Sequence, residues 1–117
     1  MGRFEFRSRD VELAFGGLKT TVPGSMEYAQ KLESVAKEMV EWGNNPENEK
    51  DTEGAKKFML GVLDELLGEA FMDKVEAERE LDIYDCTDMF AYINTEVTAY
   101  HASRVAPHVQ TVPGRRR

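Results

Sequence analysis

Apolar and polar residues alternate along residues 3–22, which is the spacing of β-strands. Phe4 and Phe6 alternate with charged residues, and a second alternating stretch ends at Gly16-Gly17. After these glycines the alternation continues at Leu18, Thr20 and Val22. Two adjacent glycines suit the positive φ angles of a two-residue hairpin loop. The pattern therefore predicts an antiparallel hairpin or a meander of two or three strands. Because so small a sheet is marginal alone, we expect its apolar face to pack on helices.

From residue 25 onward, apolar residues recur every three or four positions, as on one face of a helix. The spacing predicts three main helices at about 25–42, 52–67 and 83–103, with a short helical turn at 69–76. Each of the three main helices starts at a residue suited to capping, which is Ser25 for the first, Thr52 or Asp51 for the second, and Asp82 for the third. The expected fold class is α+β, mainly α.

The helical periodicity stops near residue 105. The rest of the chain contains Pro107 and Pro113 and includes three arginines at 115–117. A chain of 117 residues is long enough for one domain. We therefore predict a single α+β domain over residues 1–104 and a flexible basic tail over 105–117.

Charge separates these two parts. The chain has a net charge of −7, but residues 1–103 contain all 22 acidic residues and only 11 of the 15 basic ones. A body with a net charge of −11 repels nucleic-acid phosphates and anionic membranes. We therefore expect no direct binding to nucleic acid or membrane, and a protein partner instead.

The expected location is the cytoplasm. The segment MGRFEFRSRD lacks the apolar core of a secretory signal, and no apolar run reaches the roughly 20 residues needed to span a bilayer. Cys86 is the only cysteine, which excludes an intramolecular disulfide and a cysteine-based zinc cluster.

Few residues are suited to catalysis. His101 lies near the end of the third helix and His108 in the predicted tail, while Cys86 falls on an apolar stripe beside acidic neighbours that oppose thiolate formation. The acidic residues at 64–73 and the loop 44–53 do not have the pattern of a transition-metal site or of an EF-hand. We interpret all of these as structural or solvated residues, and predict no enzyme activity, cofactor or metal.

Residues 58–72 are more densely apolar than a single helical stripe requires. Either part of this surface binds a partner or a second copy, or the helix is central and packs on two sides. The arginines 115–117 can likewise dock on the acidic segment 69–88 of a neighbouring subunit, or only increase solubility. The candidate partner-binding residues are Leu60, Leu67, Phe71, Met72, Arg115, Arg116 and Arg117.

Four segments carry a resemblance to a known family: FEFRSRDVELAF, YAQKLESVAKEM, FMLGVLDELLGEAFMDKV at 58–75, and DIYDCTDMFAYI with Cys86 and Phe90. Over about residues 4–100 the chain resembles small tail assembly chaperone-like proteins from the tail-morphogenesis modules of phages and prophages of Gram-positive bacteria. The resemblance implies a non-enzymatic role, in which the protein oligomerises and holds the long tape measure protein until tail tube subunits polymerise around it. The alternatives are an acidic inhibitor that mimics nucleic acid, as in phage counter-defence, and a structural tail or neck component.

Overall fold

A β-hairpin is the first element in the computed structural model, which describes residue 4 and residues 8–110, the last five as helical backbone only. Strand β1 (Asp10–Phe15) pairs antiparallel with β2 (Leu18–Pro23), so that Val11 lies opposite Val22. Of the two loop glycines, only Gly16 has a positive φ, 63°. The strand pattern predicted at 3–7 lies outside the described residues except for Phe4, which is not in a strand.

Four helices follow the hairpin: α1 (Met26–Asn44), α2 (Thr52–Leu67), α3 (Glu69–Glu78) and α4 (Ile83–Gln110), with a 3-10 turn (Pro46–Asn48) between α1 and α2. This architecture confirms the predicted α+β class, mainly α. The predicted helical turn at 69–76 is a ten-residue helix. It is separate from α2 because Gly68 between them has a φ of 91°, outside the helical region.

Helix α4 continues past the predicted start of the tail at residue 105. The helical backbone extends to Gln110, while residues 111–117 lie outside the described residues. Residues 102–105 are exposed, so this part of α4 has no buried face and leaves no apolar helical stripe in the sequence. The predicted end of this helix, near residue 103, was therefore too early, while the tail proposed for residues 105–117 stays a prediction.

The core lies where the inner face of the hairpin meets α2, α3 and α4. Its most deeply buried side chains are Leu13, Leu63, Met72, Cys86 and Ile93. Among the described residues, no charged or polar side chain is buried with them. Helix α4 also covers the edge of β1, since the Tyr92 hydroxyl accepts a hydrogen bond from the Ala14 backbone N–H at 3.0 Å.

Helix α1 caps the end of α2. The Tyr28 hydroxyl donates to the Leu66 carbonyl at 2.8 Å, and the Lys31 ammonium donates to the Glu65 carbonyl at 3.1 Å. These carbonyls belong to the last turn of α2, where a helix has no internal donors for them. The Lys31 charge also meets the negative end of the α2 dipole. The two contacts fix α1 to the end of α2.

Tyr28 gives the fold a specific sensitivity to alkaline pH. Burial raises the pKa of Tyr28 to about 12, whereas the unfolded chain has the ordinary tyrosine value near 10. The contribution of the neutral hydroxyl to the free energy of unfolding is fully present below pH 10. It is lost as the pH rises through 12, at up to about 1.4 kcal/mol per pH unit. Urea unfolding at pH 8 to 11.5 is expected to show this decline.

The matched variants are Tyr28→Phe and Tyr84→Phe, the latter at a 76% exposed tyrosine. At neutral pH, Tyr28→Phe is expected to lower the free energy of unfolding by about 1–3 kcal/mol, because it leaves the Leu66 carbonyl without its donor. It also removes the alkaline decline due to this hydroxyl. Tyr84→Phe is expected to leave both properties unchanged. Parallel pH profiles for wild type and Tyr28→Phe would contradict the assignment.

Candidate protein-binding groove

The apolar residues proposed as a partner surface lie mostly inside the molecule. Met72 is fully buried, Phe71 is buried, and Leu60 and Leu67 are half-buried against the core. Helix α2 contacts α4, α3 and β2, so its extra apolar positions have partners within the chain. Phe71 and Met72 therefore lie in the core, as expected for a region that packs on two sides, and a partner role for Leu60 and Leu67 stays a prediction. Arg115, Arg116 and Arg117 lie outside the described residues.

The residues considered for catalysis are also separated. Cys86 is buried in α4, and this burial raises the pKa of its thiol, with a further increase from the neighbouring Asp85 carboxylate. His101 is half-buried, and its ring meets Tyr100 edge-on at 5.4 Å between centroids. Cys86 and His101 are 15 positions apart on one helix, about 22 Å along its axis. They do not form a thiol–imidazole pair.

A different concave surface lies between the tip of the hairpin, the end of α3 and the start of α4. This cleft, here called the acidic groove, has a volume of about 280 Å³. Its apolar lining residues are Phe15, Leu18, Val75, Leu81 and Met89, and the charged residues around it are Glu78, Arg79, Asp85 and Asp88.

Packing fixes the walls of the acidic groove. The Phe15 ring lies 5.7 Å from the Phe71 ring and 5.2 Å, edge-on, from the Tyr92 ring, between centroids. These contacts hold the hairpin tip against α3 and α4. On the opposite side, Leu81 is buried and anchors the short connection between α3 and α4. The groove is therefore formed by restrained elements on both sides.

The charged rim is set by the start of α4. Asp82 and Asp85 cap the helix reciprocally: the Asp85 N–H donates to the Asp82 carboxylate at 2.8 Å, and the Asp82 N–H donates to the Asp85 carboxylate at 3.1 Å. Arg79 forms an ion pair with Asp85 at 3.2 Å. Glu78 and Asp88 are exposed and form no ion pair with other described residues. Their two negative charges remain for a ligand.

An apolar lining with a negative rim favours one kind of ligand. Transfer of an apolar side chain from water into such a cleft is favourable, while neighbouring cationic side chains are attracted to the rim.

Within residues 8–105, no three His, Cys, Asp or Glu side chains are grouped so as to hold a metal ion. No helix among the described residues is long and apolar enough to cross a membrane.

Comparison of the chain with protein-family models, with curated proteins and with solved structures finds no match.

The acidic groove was not predicted from the sequence. Phe15, Val75 and Met89 come from three different elements, and each is an ordinary apolar position in its own strand or helix. The one signal in the sequence was the excess of acidic residues over 69–88.

Proposed function

We propose that this chain is a non-enzymatic protein-binding factor that binds a basic, partly apolar segment of its partner in the acidic groove. The observation that supports this function is the combination of an apolar cleft with two carboxylates at its rim, Glu78 and Asp88, that form no ion pair with the residues the structure describes. The net charge of −11 over residues 1–103 adds long-range attraction for a basic partner.

The resemblance to tail assembly chaperones suggests the identity of that partner. In this proposal the protein acts in the bacterial host cytoplasm during phage tail morphogenesis and holds the tape measure protein before the tail tube forms. Each copy covers one apolar segment of the long partner, which removes that segment from contact with other unfolded chains. The acidic exterior keeps the complex in solution through charge repulsion between complexes.

Co-expression with the tape measure protein from the same gene cluster tests this function. We expect the tape measure protein to become more soluble and to co-purify with the chain. The double variant Glu78→Lys/Asp88→Lys reverses the rim charge and is expected to reduce the co-purified amount about tenfold or more. The variant Glu33→Lys/Glu38→Lys makes the same charge change at exposed positions of α1 and is expected to retain the partner.

Unchanged solubility and no co-purification of the tape measure protein would contradict the chaperone role. Recovery of a nuclease or a DNA-binding protein in a pull-down would instead favour the acidic inhibitor. Presence of the chain in purified virions would favour a structural tail or neck component. Equal partner retention by the groove and control variants would show that binding occurs elsewhere on the chain.

A further inference from the structure

We propose that the acidic groove also binds residues 112–117 of a second copy of this chain. The inference rests on the proposed function, because it uses the same groove as the protein-binding site. It adds a specific occupant for the groove and a way in which self-association and partner binding exclude each other.

The composition of residues 112–117 matches the groove. Val112 and Pro113 are apolar, Gly114 separates them from the charges, and Arg115, Arg116 and Arg117 follow. The groove offers an apolar lining next to a rim on which Glu78 and Asp88 remain unpaired with other described residues. Arginine presents several donors to a carboxylate and forms the stronger type of charged hydrogen bond with it. The segment and the groove are therefore complementary in both apolar character and charge.

The length of α4 excludes binding within one copy. Met89 lines the groove, and Gln110, the last described residue of α4, lies 21 positions further along the helix. This separation is about 32 Å at 1.5 Å per residue. Val112 is two residues beyond Gln110 and reaches at most about 7 Å from it. The apolar part of the segment therefore cannot enter the groove of its own chain, whereas a second copy has no such restriction.

This contact makes the self-association head-to-tail. Each copy donates one segment and offers one groove, so the two surfaces in contact are different. Such heterologous contacts close into a ring or continue as an open chain, depending on the rotation between copies. A basic segment of a protein partner would compete with residues 112–117 for the groove. Binding of the partner is therefore expected to dissociate the self-assembled form.

Sedimentation velocity of the full chain over a range of concentrations tests this proposal. We expect concentration-dependent association that weakens with added salt, because the rim contacts are charged. The variant Arg115→Glu/Arg116→Glu/Arg117→Glu is expected to weaken the association about tenfold or more. The variant Lys37→Glu/Lys50→Glu/Lys57→Glu has the same net charge, alters exposed positions elsewhere, and is expected to associate like the wild type at matched salt.

A mixing experiment identifies the groove as the second surface. The rim variant Glu78→Lys/Asp88→Lys and the arginine variant are each expected to be monomeric alone at concentrations where the wild type associates. Mixed together, they should associate. The acidic segment of the arginine variant can bind the basic rim of the rim variant, and the natural arginines of the rim variant can bind the natural acidic rim of the arginine variant. A monomeric wild type, or an arginine variant that associates like the wild type, would overturn the proposal.

The two proposals fail in distinguishable ways. The arginine variant retains its groove, so it should still co-purify the tape measure protein while self-association is lost. Loss of self-association in the rim variant with full retention of the tape measure protein would reject the groove as the partner site but keep it as the site for the second copy. Partner binding through the groove by a wild-type chain that never self-associates would reject only the head-to-tail contact.

Discussion

Replacement of Met72 by Ala is expected to lower the free energy of unfolding by about 2–5 kcal/mol, the range for truncation of a long apolar side chain in a core. Met72 has 0% exposure and lies in α3 among the core residues that join α2 and α4. Its truncation removes apolar contacts and leaves a cavity that the packed helices only partly close. Urea or thermal unfolding measures the loss directly.

Met26→Ala is the matched control, because it makes the same truncation at a residue that is 64% exposed. It is expected to change the free energy of unfolding by less than about 0.5 kcal/mol. The pair separates a core role for Met72 from the partner role that the sequence suggested. A Met72→Ala protein with wild-type stability and defective partner binding would restore the surface interpretation.

The helices were predictable because their signals are local. Ser25 caps α1 by accepting from the Tyr28 N–H at 3.1 Å, and Asp82 and Asp85 cap α4, as the spacing of these residues indicated. Asp51, one of the two candidates, caps α2 through the Gly54 N–H at 2.9 Å. Each of these contacts joins residues three positions apart, which a reading of the sequence can recognise.

The role of residues 58–72 was not predictable by the same means. Apolar density shows that a helix has more than one apolar face, but the faces of α2 are covered by α4, α3 and β2, which come from other parts of the chain. The acidic groove has the same origin, since Phe15 and Met89 approach each other only after the hairpin packs on α4. Contacts of this kind depend on tertiary packing and leave no pattern at a single position.

The junction between the hairpin and the second half of α4 is a third long-range feature. The Tyr100 hydroxyl donates to the Ser8 carbonyl at 2.8 Å, and the Gly24 N–H donates to the Arg9 carbonyl at 2.7 Å. The Tyr100 ring therefore lies against the backbone where the hairpin ends and α1 is about to start. Gly24 occupies a position where the backbone, rather than a side chain, contacts this ring.

Replacement of Gly24 by Ala is expected to lower the free energy of unfolding by about 2–3 kcal/mol, near the upper end for overpacking. A Cβ atom at this position would lie 2.5 Å from Cε2 of Tyr100 and 2.7 Å from the carbonyl oxygen of Arg9. Rotation of the ring can relieve the first contact, but it displaces the hydroxyl from Ser8. The second contact involves backbone, so the end of the hairpin must move and its hydrogen bond to Gly24 must lengthen.

Gly61→Ala makes the same chemical change with the opposite expected sign. Gly61 is an exposed residue within α2, and a Cβ atom there meets nothing within 4 Å. Alanine is favoured over glycine in a helix interior by about 0.5–1 kcal/mol, so this variant should be more stable than the wild type. Chemical unfolding of both variants gives the comparison. The close contacts with Tyr100 and Arg9 are what reverse the ordinary preference for alanine at Gly24. A Gly24→Ala protein as stable as the wild type, or more stable, would therefore contradict the close approach of Tyr100 to the hairpin.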